Sequence, residues 1–238
     1  LEKINNINFL QHIIIGLDKA NKNEFEFAKK YFSILKTSHS ILWNDGPRLK
    51  KLQNELNEAE LAKVEDGKGK NVWYCIGYAI ARNSAEAVAF HDCDIKTYDE
   101  NILIKLFYPL LNDSMGYSFS KGYYPRYEDN KFNGRVTRLL VTPLIKSLIK
   151  LFGNNDYLEF IDSFRYPLAG EYALKKNLLR DLRIPSDWGL EIGILSELQR
   201  NYSSKLCCQV DLADHYDHKH QDLSEDDKSK GLSRMTVD

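Results

Sequence analysis

Ala87-Val88-Ala89-Phe90 is a short, unbroken apolar run that ends on His91-Asp92-Cys93-Asp94. An apolar run without polar alternation fits a strand covered on both faces, as in α/β proteins whose sheets carry helices on each side. Carboxylates at the carboxyl end of such a strand stand where open α/β sheets take their ligands. Two hard oxygen donors one residue apart suit Mg²⁺ or Mn²⁺, ions that commonly bridge a diphosphate. A strand end running into a turn suits Asp equally well. The Asp92-x-Asp94 spacing alone leaves both readings open.

The segments before this run alternate in type. Gln11 to Leu17 is rich in β-branched residues and reads as a strand. Asn21 to Leu35 has helical period, with Phe25, Phe27, Ala28, Tyr31, Phe32 and Leu35 on one face. Ser40 to Trp43 is a second strand, closed by the turn residues Asn44-Asp45-Gly46-Pro47. Arg48 to Ala62 is a charged amphipathic helix, and a further helix carries Val72, Cys75, Ile76, Ala79 and Ile80 on one stripe. Strand, helix, strand, helix, helix, strand is the order of a mostly parallel sheet with right-handed crossovers.

Beyond Asp94 the pattern predicts a helix over 98–111, a strand of a mixed C-terminal sheet over 116–126, where aromatic and polar residues alternate, and an apolar helix over 136–152. A short aromatic segment follows over 157–168. Helices are then expected over 171–182 and 188–202, with Ser186 and Asp187 as capping candidates, and a last strand over 206–212. Residues 223–238 read as a polar, mobile tail.

Composition removes several classes. With 33 basic and 34 acidic residues the net charge is −1, without the basic excess of a nucleic-acid binder. No apolar run approaches the roughly 18 residues of a membrane span. Leu1-Glu2-Lys3-Ile4 begins no signal pattern. The cysteines Cys75, Cys93, Cys207 and Cys208 lack Cys-x-x-Cys spacing, so reduced thiols and a cytoplasmic setting are expected.

Four further stretches carry chemistry. Gly67-Lys68-Gly69-Lys70 opens a helix, where glycines let backbone approach a phosphate and lysine adds charge; a solvated loop is the alternative. Asn133-Gly134-Arg135-Val136-Thr137 also begins a helix and offers a guanidinium fork and a hydroxyl, or an ordinary turn. His215, His218 and His220 follow the last strand, and either His218 or His220 could complete a metal site with the Asp pair. Glu171 and Glu191 stand among aromatics and glycines, either as sugar-binding acids or as acidic first turns of helices.

Taken together, the sequence resembles glucosyl-3-phosphoglycerate synthases and mannosyl-3-phosphoglycerate synthases, retaining glycosyltransferases of the GT-A fold. The resemblance rests on Gly67-Lys-Gly-Lys70, His91-Asp-Cys-Asp-Ile95, Lys121-Gly-Tyr-Tyr124 and Gly134-Arg-Val-Thr-Arg-Leu139. It continues through Asp162-Ser-Phe-Arg-Tyr-Pro-Leu-Ala-Gly-Glu171, Ile184-Pro-Ser-Asp-Trp-Gly-Leu-Glu191 and Tyr216-Asp-His-Lys-His-Gln221, all in the family's order. It implies one GT-A domain over residues 1–222, with a nucleotide-sugar half over 1–94 and an acceptor half over 95–222.

The resemblance also implies roles. Asp94 and His218 hold the divalent ion, and Asp92, Cys93 and Lys68 meet the donor. Gly134, Arg135, Thr137 and His220 meet 3-phosphoglycerate. Glu191 holds the donor sugar, and the backbone at Leu168 lines the reaction centre together with Asp94. A UDP- or GDP-hexose donor, glucose favoured over mannose, and a homodimer are implied too. Two departures stand out. The family's opening strand, ending in Pro-Ala-x-Asn-Glu-Glu, has no counterpart in this sequence, so the fold is expected without it. His220 stands where other members carry Asn. A retaining transfer without a protein nucleophile implies same-face attack, with the donor's phosphate assisting deprotonation. The rival readings are a related GT-A enzyme with a lipid phosphate acceptor, and a catalytically silent sugar-nucleotide-binding protein.

Overall fold

In the computed structural model, which describes residues 1–61, 66–125, 127–128, 131–132, 134–187, 189–214 and 216, strands β1 (Ile13–Leu17) and β2 (His39–Trp43) run parallel. They are in register from Ile13 opposite His39 to Leu17 opposite Trp43. Helix α1 (Lys22–Phe32) makes the crossover. Its start is fixed by a capping box: the Asn21 side chain accepts from the Asn23 and Glu24 amides, while Glu24 accepts from the Asn21 amide. Two orphan donors of the first turn are thereby satisfied. Only a narrow stripe of α1 is inward. Ala28 is buried and Phe25 stacks on Trp43 at 4.7 Å, but Phe27 and Tyr31 of the expected apolar face are 69% and 52% exposed.

Helices α2 (Pro47–Glu58) and α3 (Lys68–Arg82) follow, and α3 lies against β1. These elements form one compact unit, Leu1–Ala85 together with Ile184–Leu190. Its buried apolar residues among those described are Ile7, Ile15, Ala20, Ala28, Leu35, Tyr74, Ile76 and Leu190.

The second unit begins at Glu86 and omits Ile184–Leu190. Its centre is a four-stranded sheet in the order β3 (Ala87–Phe90), β7 (Tyr172–Lys175), β4 (Phe119–Tyr123), β8 (Cys207–Asp211). β7 is antiparallel to both of its neighbours, and β4 and β8 are parallel. The α/β architecture is the expected one, and the four-stranded sheet of the second unit is mixed, as expected for the C-terminal part. β3 pairs with antiparallel β7, and the parallel pairs are β1–β2 and β4–β8.

One element differs outright. Residues 171–182, expected as a helix, supply the strand β7 and only a single turn, α7 (Lys176–Leu179). Tyr172, Ala173 and Leu174 are 0–1% exposed between two paired neighbours, and that burial outweighs the helical preference of Ala, Leu and Lys.

Helix α4 (Glu100–Leu111) covers this sheet through Ile102, Leu103, Leu106 and Leu110. A short ribbon, β5 (Tyr127–Glu128) and β6 (Lys131–Phe132), leads to a π-helical turn over Thr137–Val141 and then α5 (Thr142–Phe152). Helices α6 (Asp156–Asp162) and α8 (Leu190–Asn201) complete the described elements. Among the described residues no helix is long and apolar enough to cross a membrane.

Candidate active site

β3 delivers His91 and the two carboxylates at its carboxyl end. Asp92 is half-buried, while Cys93 and Asp94 are exposed. His91 turns inward. Both ring nitrogens are shut off from solvent without a hydrogen-bond partner, and the ring lies 5.7 Å from that of Tyr98. Burial pushes its pKa down to about 4, against the smaller opposing pull of Asp92. The histidine is therefore a neutral inward wall behind the acidic pair.

Opposite stands the turn Leu168–Glu171, which leads into β7. A Cβ on Gly170 would fall 2.5 Å from Asp92 Oδ2, so only the bare glycine lets this turn lie against the carboxylate. Glu171 is 1% exposed and accepts a 2.7 Å bond from Tyr124 Oη. Tyr124 stacks face to face on Tyr216 at 3.6 Å. Burial, then the charge on Glu171, holds the Tyr124 phenol well above its ordinary pKa. Tyr216 is raised as well, first by burial, then by Glu171, with Asp92 and Asp94 adding to it. The second unit thus gathers three carboxylates, two stacked phenols and the Leu168 backbone around the end of β3.

Asp92 and Asp94 are hard oxygen donors suited to Mg²⁺ or Mn²⁺, and the glycine opposite Asp92 leaves it room. Among the described residues no group of three His, Cys, Asp or Glu converges as a complete ligand set. The predicted third ligand, His218, lies outside the described residues, as does the predicted acceptor contact His220.

The remaining predicted residues are placed as follows. Glu191 is buried in the first turn of α8, at the helix end that favours a carboxylate. Gly134 takes φ +70° and its carbonyl accepts from the Arg138 amide at 3.1 Å, opening the helical segment. Arg135 is exposed. Thr137 is 8% exposed and its hydroxyl has no hydrogen-bond partner among the described residues.

The glycine-rich start of α3 has a different purpose from the expected phosphate cradle. The Gly69 and Lys70 amides donate to the Asp187 and Ser186 carbonyls at 3.1 and 2.8 Å. A Cβ on Gly67 would stand 2.6 Å from Asp187 Cα, and one on Gly69 would collide with the Pro185 carbonyl. The glycines therefore admit a second stretch of backbone. Lys70 is likewise engaged: its Nζ lies 2.5 Å from Asp66 and 4.0 Å from Asp18. Burial works to lower its pKa, and those two carboxylates outweigh it. Lys68 is half-buried in the same turn.

Lys121, Tyr124 and Tyr216 are not singled out by residue pattern, and pattern leaves Glu171 open between a sugar-binding acid and a helix start. All four lie in the matched blocks, which was the available signal. The Lys121–Ala169 and Tyr124–Glu171 contacts span 48 and 47 residues of chain, which local pattern does not reveal.

No family model matches the chain. It is 42% identical over 238 residues to the glucosyl-3-phosphoglycerate synthase of Persephonella marina, covering 100% of this chain and 59% of that protein. To the glucosyl-3-phosphoglycerate synthase of Methanococcoides burtonii it is 39% identical, over 99% of this chain and 58% of that one. The chain thus spans slightly under three fifths of these curated relatives. A crystal structure of glucosyl-3-phosphoglycerate synthase from Mycobacterium tuberculosis, in complex with Mn²⁺, UDP and glucosyl-3-phosphoglycerate, superposes with a TM-score of 0.66 at 22% identity. That match covers 99% of this chain and 72% of that one.

Proposed function

We propose, from its similarity along its whole length to glucosyl-3-phosphoglycerate synthases and the GT-A fold it has in common with one of them, that the chain transfers glucose from UDP-glucose to 3-phosphoglycerate with retention of configuration. The observation that carries this reading is the Asp92–Asp94 pair at the end of β3, set against the Gly170 turn and the Tyr216 phenol. Support comes from the mycobacterial synthase, whose structures hold Mn²⁺ with UDP-glucose and phosphoglyceric acid, or Mg²⁺ with UDP.

In this reading Asp94, with His218, holds a divalent ion, and Asp92 and Cys93 face the donor. The bound cation supplies stabilisation of the departing diphosphate. Glu191 holds the donor sugar from the first turn of α8, and Lys68 meets the nucleotide. Gly134, Arg135, Thr137 and His220 orient the phosphorylated acceptor, which converts a bimolecular encounter into a positioned one. Leu168 lines the reaction centre through its backbone, so attack comes from the face the diphosphate leaves. Residues 1–94 serve the donor and 95–222 the acceptor.

The test is a donor panel, UDP-glucose, GDP-glucose and GDP-mannose, with 3-phosphoglycerate and Mn²⁺. Release of nucleotide diphosphate and formation of the glycoside are followed together. UDP-glucose should be the preferred donor, and Asp94→Ala should abolish turnover. Donor binding without UDP release would establish a silent binder instead, and full activity of Asp94→Ala in EDTA would remove the metal role. A homodimer and a cytoplasmic setting complete the proposal. Leu139, Leu144, Leu151 and Phe152, 50–76% exposed on and beside α5, offer a face for a second copy. Sedimentation equilibrium tests it, with Leu151→Lys expected to shift the mass toward a monomer.

A further inference from the structure

Every residue of the turn after Leu168 is pinned. The Ala169 carbonyl, on a residue 0% exposed, accepts a 2.6 Å bond from Lys121 Nζ. Gly170 lies against the Asp92 carboxylate. Glu171 accepts from Tyr124 Oη at 2.7 Å, and its own carbonyl accepts from the Gly122 amide at 2.8 Å. Lys121 itself is 2% exposed on β4, with Nζ 5.2 Å from the centroid of the Tyr172 ring.

Burying a lysine is costly unless its amine finds partners, and β4 does not need this amine in order to form. Its backbone is already paired on both sides, with β7 and with β8. A methionine would fill similar volume without that cost. What the amine adds is a tie from a central strand to the carbonyl one residue beyond Leu168. The cation–π contact with Tyr172 holds the amine on that line.

We infer that Lys121 is a positioning residue for glycosyl transfer: it fixes the Ala169 carbonyl and so the Leu168 backbone, while Tyr124 holds the other end of the turn through Glu171. The inference rests on the role given to Leu168 above. A displacement of about 1 Å at a reacting centre can cost on the order of 100-fold in rate, which is the leverage such a tie has.

The test compares wild type, Lys121→Met and Tyr124→Phe in the full chain with Mn²⁺, UDP-glucose and 3-phosphoglycerate. Lys121→Met should lower kcat about 10- to 100-fold and leave both KM values within about threefold. Amide exchange over 168–171 should rise about tenfold while that of β4 and β7 stays at wild-type levels. Tyr124→Phe should show the same split with a smaller loss. Wild-type turnover with an unchanged kcat in Lys121→Met overturns the inference and leaves the proposed activity standing. An inactive wild type refutes the activity instead, and unaltered exchange over 168–171 then overturns the tie by itself. Should Lys121→Met not fold, Tyr124→Phe decides: a kcat within twofold of wild type refutes the positioning role.

Discussion

Arg135 and Thr137 show how a two-residue step can divide labour, one side chain exposed and the other burying a hydroxyl that has no hydrogen-bond partner among the described residues. A phosphate brought to this turn would meet a guanidinium fork and a waiting hydroxyl. Arg135→Ala is expected to cost about 1.5 to 3 kcal/mol, a roughly 10- to 150-fold rise in the acceptor KM, with donor affinity nearly unchanged. Steady-state kinetics with each substrate varied checks this, and a selective loss of UDP-glucose binding would exchange the two pockets. His91 makes a separate prediction about acid. Its folded pKa of about 4 lies below the ordinary 6.5 because it is buried. The unfolded chain therefore takes up the proton near pH 6.5 and the folded chain only near 4. The resulting stabilisation is fully present above pH 6.5 and is lost as pH falls toward 4, by at most about 3 kcal/mol. Denaturant titrations between pH 7.5 and 4.5 should show wild type losing up to about 3 kcal/mol more stability than His91→Leu as pH falls. Parallel curves would mean that His91 does not titrate this way.

At the scale of elements, α3 contains two glycines with opposite expectations. Helix propensity alone favours Ala over Gly by up to about 1 kcal/mol. Gly77 is exposed and nothing stands within 4 Å of where its Cβ would be, so Gly77→Ala should stabilise. Gly69→Ala meets the Pro185 carbonyl and should destabilise by about 1 to 3 kcal/mol, as overpacking does. Thermal melts of the two variants should move in opposite directions, and a Tm gain in both would show that the seam yields easily. This pair also marks the limit of reading elements from sequence. Gly67 and Gly69 announce that something must approach closely, without saying whether it is a phosphate or, as here, the chain's own residues 185–187. The helical period of α4 was legible because its buried positions recur every three to four residues. β7 was not, since Ala, Leu and Lys serve either state and only pairing with β3 and β4 decides between them. In the same way, alternation predicts the strand carrying Lys121 and Tyr124, but not that they reach Ala169 and Glu171.

For the whole molecule, the matched blocks carried the site further than the fold. The end of β3 and the Gly170 turn meet as two of those blocks, whereas the division into two units crosses the chain at residues 85–86, 183–184 and 190–191, where no composition change marks it. The two units are built with unequal cores. Of the largest side chains less than 2% exposed, Tyr172, Phe119, Ile102, Leu106, Leu110, Leu174, Leu178, Ile194, Leu195 and Leu198 lie in the second unit, as does Lys121, and Leu190 belongs to the first. Among the described residues the sheet of the first unit has two strands and the main sheet of the second has four, and a two-stranded sheet gains little stability of its own. Local opening follows the density of buried apolar contacts. Amide exchange should therefore be at least about tenfold faster in β1 and β2 than in β4 and β7 under native conditions, since even ~1.4 kcal/mol of difference in opening free energy produces that ratio. Mass-resolved exchange in the absence of ligand measures it directly. Equal protection of the four strands would mean that the chain opens as one cooperative body, and that the smaller core is held to the stability of the larger.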